Sequence, residues 1–194
     1  VLHLDAKLVR MANSAQYFGF AFDRDLVRQR IADGVVGGPD PARVSVLVSR
    51  DGECEIDVTG APPWNEGPHE GAVAIGAVAP TPVSSKNVNL FHRTTNRKLL
   101  DRIERRYPDA DVVIVCNDMD EVAGTVVANV AAQIDGVWRT PPVEAGTVPT
   151  AFRDRLIAAG MLVERAFSRD DLKSAEAIGV IDDIHGWRVV GLIE

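Results

Sequence analysis

From Asp111 to Pro142 the chain is almost continuous strand-forming sequence, with no helical segment inside it. DVVIVCND has the length and apolar content of a short buried strand. EVAGTVVANVAAQIDGVWRTPP reads as consecutive strands, with a turn at Asp135-Gly136 and a stop at Pro141-Pro142. Such an order argues against a regular βαβ alternation, and with it against a Rossmann sheet.

The flanking segments supply helices and further hairpins. Residues 2–18 predict an amphipathic helix, with Leu2, Leu4, Leu8, Met11 and Ala15 near one face and Tyr17 and Phe18 closing it. A second helix follows, with Asp23 as its N-cap and Gly34 at its end. RVSVLVSRDGECEIDVTG is a hairpin turning at Asp51-Gly52, and AVAIGAVA is a third strand. Residues 95–106 predict a helix stopped by Tyr107-Pro108, and residues 149–160 another ending at Gly160. MLVERAFS reads as a strand, RDDLKSA as a short helix, and AIGVIDD and WRVVGLI as closing strands. The expected class is α+β (mixed α/β) in two lobes. A smaller N-terminal α/β lobe spans 1–83 and a larger C-terminal lobe 84–194, joined through PTPVSSKNVN.

Composition removes several functions. The net charge is −7, and 17 arginines and 4 lysines are spread without a basic block, which speaks against nucleic acid as a partner. No run of about 18 apolar residues offers a membrane span. Cys54 and Cys116, without a CxxC pair, exclude a disulfide scaffold and a thiol-ligated zinc site, so a reduced cytoplasmic setting is expected. His3, His69, His92 and His185 lack metal-ligand spacing, and His69 reads as a solvated loop residue.

Four ordered segments carry a resemblance. KLVRMANSAQYFGFAFD, NLFHRTTNR, EVAGTVVANVAAQIDGVWRTPPVEAGTVPTAFRDRLI and AEAIGVIDDIHGWRVVGLI resemble class IV aminotransferases, the fold-type-IV family that binds pyridoxal phosphate (PLP). The branch they resemble most is 4-amino-4-deoxychorismate lyase. The resemblance implies two lobes with a cofactor between them, and a homodimer. Family members carry a strand-rich segment before the first helix, so a shortened N-terminal lobe is expected here.

The same comparison marks departures. The family's Schiff-base lysine falls at Arg93, whose guanidinium stays protonated and is a poor nucleophile. The glutamate that pairs with the pyridine nitrogen falls at Gly124. Arg10 matches the family's phosphate-binding arginine. The phosphate turn carries Thr150, followed by Ala151, where the family has glycine. Asp182 and Asp183 stand where it has small hydroxyl residues, and His185 where it has an arginine.

No cofactor is therefore expected. The expected partner is a small carboxylated, chorismate-like molecule, met by Arg10, His92, Arg93, Thr94, Gly124, Thr150 and Ala151. Arg93 is the expected carboxylate clamp, and Asp182, Asp183 and His185 are the acid–base candidates. Plain structural readings stand beside these: paired aspartates cap turns, His92 packs beside Phe91, and Gly124 marks a close backbone approach. Two other functions stay open, a non-catalytic scaffold or regulatory homologue and a PLP enzyme using a relocated lysine such as Lys86 or Lys98.

Overall fold

The computed structural model describes residues 3–68 and 73–193; the expectations for Leu2 and His69 lie outside them. The chain divides into two compact units, Val1–Pro63 and Trp64–Glu194.

In the first unit, α1 (Leu4–Phe18) and α2 (Arg24–Gly34) are followed by a hairpin of β1 (Ala42–Val48) and β2 (Cys54–Gly60). Asp23 caps α2, its Oδ1 accepting from the Asp25 and Leu26 amides at 2.9 and 3.0 Å. Leu8, Val27 and Ile31 form the core, with Val44, Val46, Val48, Cys54 and Ile56 of the hairpin packed on it. The two-residue period of β1 thus turns its valines inward and leaves Leu47 exposed. Tyr17 does not close the α1 face: it is 64% exposed and meets the Phe18 ring edge-on. The Asp5 carboxylate joins the helices through Arg24 and Arg28, which hold it below the usual carboxylate range, Arg28 most strongly.

The second unit is built on eight strands: β3 (Ala74–Val78), β4 (Val112–Cys116), β5 (Val122–Thr125), β6 (Asn129–Ile134), β7 (Val137–Thr140), β8 (Val163–Glu164), β9 (Ala177–Asp182) and β10 (Gly186–Leu192). Their order is β5-β4-β3-β10-β9-β6-β7-β8. β4–β5, β6–β7, β6–β9 and β9–β10 are antiparallel, as the helix-free run implied. β3 pairs in parallel with both β4 and β10, and the crossover to β4 carries α3 (Lys98–Glu104). β3, which a boundary at 83/84 would give to the smaller lobe, is thus a central strand of the larger unit. Its backbone groups are met by two neighbours there.

Both faces of this sheet are covered. Val112, Ile114, Val130, Val180 and Val190 share one core with Leu172 of α5 (Arg169–Ser174). Val113 and Val115 pack with Leu100 and Ile103 of α3. Ala131, Ile181 and Trp187 pack with Phe152 and Leu156 of α4 (Ala151–Ala158). Hence β4 is buried at every residue and reads as an unbroken apolar run. Of MLVERAFS only the exposed Val163 and Glu164 form a strand, at the sheet edge. Asp135 and Gly136 both take positive φ, 54° and 71°, the conformation of a tight two-residue hairpin turn.

Two glycines with nearly the same φ separate backbone strain from packing. Gly136 has nothing within 4 Å of a built Cβ, whereas at Gly186 (φ 74°) a Cβ would lie 1.9 Å from the Asn65 carbonyl oxygen. Gly136→Ala should cost about 1–2 kcal/mol, the strain of a left-handed alanine. Gly186→Ala should cost clearly more, because it must also break the exchange of hydrogen bonds between Asn65 and the His185–Trp187 backbone. Urea midpoints of the two variants check the difference.

Candidate functional site

Three of the expected residues, Thr150, Ala151 and Asp183, meet at the N-terminal turn of α4. A helix leaves its first N–H groups without internal partners. Here Thr150, the N-cap, donates its own amide to Asn129 Oδ1 at 3.1 Å. The Ala151 amide donates to Asp183 Oδ2 at 3.4 Å and the Phe152 amide to Asp183 Oδ1 at 2.9 Å. The Arg153 amide donates to Thr150 Oγ1 at 3.2 Å. Three side chains therefore satisfy the whole turn. Thr150, Ala151 and Asp183 are brought together in a capping arrangement.

Asn129 opens β6 in the middle of an apolar stretch, and sequence reading passed over it. It is 1% exposed, and its Nδ2 donates to Thr147 Oγ1 at 2.7 Å and to the Val148 carbonyl at 2.9 Å. A lone asparagine in a buried strand was the available signal, since a buried amide needs partners. Arg153 was also missed. It is 2% exposed, donates to the Pro141 carbonyl at 2.8 Å and pairs with Glu164, tying the α4 start to β8.

Arg93 reaches the turn between β5 and β6. Thr125 Oγ1 accepts from the Val127 and Ala128 amides at 3.1 and 2.7 Å, which turns the chain tightly. The Val127 carbonyl accepts from Arg93 Nη2 at 2.5 Å. Thr94 Oγ1 accepts from the Asn96 amide, so Thr94 shapes the Arg93 loop. Gly124 has φ 149°, and a Cβ there would lie 3.0 Å from Thr147 Oγ1. The close-approach reading of Gly124 holds.

The two adjacent aspartates serve different faces of the sheet. Asp183 reaches α4. Asp182 folds the β9–β10 turn, with Oδ1 accepting from the Ile184 and His185 amides, each at 2.7 Å. Its Oδ2 lies 3.1 Å from His185 Nδ1 and 3.4 Å from Arg188 Nη2. In the Nδ1-protonated tautomer, the carboxylate orients the ring and leaves Nε2 as the proton acceptor. Asp182 and His185 are thus brought together, and Asp183 is not the second member of a carboxylate pair.

His92 is half-buried, and that burial lowers its pKa. Arg10 lies half-buried on α1, in the smaller unit. Two surface depressions, one at Leu26, Arg30 and Cys54 and one at Glu66, Arg155 and Met161, include none of the expected site residues. No group of His, Cys, Asp and Glu suited to a metal ion exists among the described residues. None of their helices is long and apolar enough to cross a membrane.

Two predictions test this geometry. Asn129→Ala removes a side chain that serves three backbone or hydroxyl groups, and should cost about 2–4 kcal/mol by urea unfolding, the scale of buried unmet partners. His92 should titrate by NMR below the ordinary imidazole value of about 6.5. Its folded-state pKa is depressed, so its contribution to stability is present above that value and is lost as pH falls, when the unfolded chain takes the proton first.

Comparison with known proteins agrees with the architecture. The profile of the family described as amino-transferase class IV matches residues 1–193. A Schizosaccharomyces pombe protein named "Putative aminodeoxychorismate lyase" is 24% identical over 182 residues, 90% of this chain and 77% of its own. A Mesorhizobium loti structure described as a "Putative amino-acid aminotransferase" superposes with a TM-score of 0.88 at 29% identity, covering 99% of this chain and 92% of that one. A Legionella pneumophila "Putative 4-amino-4-deoxychorismate lyase" gives 0.81 at 16% identity, over 99% of this chain and 78% of that one. With the family profile spanning nearly its whole length and the same fold in these structures, the chain belongs to the class IV aminotransferase family.

Proposed function

We propose that this chain is an aminodeoxychorismate lyase-like member of its family that works without PLP. On this reading it binds a small carboxylated molecule of the chorismate kind, with Arg93 as the carboxylate anchor. Arg93 carries the reading. By the resemblance of NLFHRTTNR it falls at the family's imine-forming lysine, and a guanidinium, protonated at any physiological pH, cannot form that imine. Its fork is well suited to a carboxylate.

Two further features support it. Thr147 crowds the space beside Gly124 that a carboxylate partner for the pyridine nitrogen would need. Lys86 and Lys98 are exposed, the latter at the start of α3. The residues present do not fit PLP. Any chemistry on the bound acid would be proton transfer, and the Asp182-oriented His185 imidazole is the group suited to it.

The test is a PLP titration followed by absorbance and by mass after borohydride reduction, beside calorimetric titration with chorismate. The expected result is no aldimine band, no adduct, and saturable chorismate binding that Arg93→Ala weakens about 10- to 100-fold, the worth of one charge-assisted contact. A band with mass added to one lysine would make the protein a conventional PLP enzyme. Absence of chorismate binding in the wild type would favour the scaffold reading.

A further inference from the structure

We infer that Asp183 is the chain's own anionic ligand, a specificity-determining residue that fills the α4 N-terminus and closes that turn to a phosphate group. Helix N-termini attract anions because their free N–H groups and the helix dipole act together. At α4 that attraction is already used. Both carboxylate oxygens of Asp183 accept from consecutive amides, Ala151 and Phe152. The neighbouring donors are committed to Asn129 and Thr150. A phosphate has no vacant N–H group in that turn and would meet a like charge at contact distance.

The carboxylate is also delivered by a fixed support. Asp182 holds the β9–β10 turn through the Ile184 and His185 amides. Trp187, at the end of that turn, packs in the same core as Phe152 and Leu156 of α4. The turn that presents Asp183 and the helix that receives it are therefore parts of one packed layer. A tethered anion on a rigid support has little entropy left to lose on seating, so a free anion competes with it poorly. A ligand seated beside this turn is therefore one that places no phosphate group on the α4 amides. This specifies the chemistry of the ligand proposed above, but it rests on the α4 geometry and not on Arg93.

The test is a titration of the ¹⁵N-labelled chain with inorganic phosphate, reading the Ala151 and Phe152 amides in wild type, Asp183→Ser and Asp183→Asn. Each variant removes the charge and offers one acceptor oxygen in place of two, so at least one of the two amides is released, and the remainder of each spectrum reports folding. Wild-type amides should not respond. The variants should give saturable shifts at these two amides, at least about tenfold tighter than any wild-type response, because the like charge is gone. Equal responses in all three proteins, or silent amides in the folded variants, would overturn the inference. A lysine–PLP adduct with silent wild-type amides would sink the PLP-free reading alone. Responsive wild-type amides without an adduct would sink this inference alone.

Discussion

The first turn of α4 has N–H groups that the helix cannot satisfy, and the site in the larger unit is organised around how they are met. Asn129 comes from the start of β6, Thr150 from the helix itself, and Asp183 from the end of β9. Each contact of this kind is worth about 1 kcal/mol. Their structural effect exceeds that sum, because Asn129 and Asp183 fix two separate parts of the chain to one helix end. Asn129 extends the link to Thr147 and Val148, and Thr147 in turn sets the tight space beside Gly124.

The fold and the cofactor residues of such a protein are separable for a physical reason. The sheet is held by apolar side chains on both faces, such as Val112 to Cys116, and by ladder hydrogen bonds. Arg93, by contrast, is exposed in a loop, and Gly124 contributes no side chain at all. Neither residue contributes a side chain to the apolar clusters that hold the sheet. A family fold can therefore persist after the groups its cofactor needs have changed, which is the state proposed for this chain.

Much of this was legible in the sequence, and the reasons differ by element. The Asp23 cap, the Asp135-Gly136 turn and the inward valines of β1 follow from local chemistry, so pattern reading finds them. The parallel pairing of β3 with β4 and β10 depends on contacts distant in sequence, and nothing within AVAIGAVA encodes it. The Asp182–His185 contact spans three residues and was readable. The split of the two aspartates between sheet faces was not, because it depends on where α4 lies. Asn129 was hidden in an apolar run, and its role comes from the 147–150 segment packed beside it. Tyr17 misled because its position suits the apolar face of α1 while its side chain remains exposed.

The central claim is that the α4 N-terminus is filled by this chain's own carboxylate in a protein that no longer seats PLP. It is tested most directly by a crystal structure of the wild-type protein grown with excess PLP, at a resolution that distinguishes carboxylate from phosphate. The account predicts Asp183 against the Ala151 and Phe152 amides, with no phosphate there. A phosphate on those amides with Asp183 turned away, or continuous density from a lysine Nζ to a pyridine ring, would contradict it.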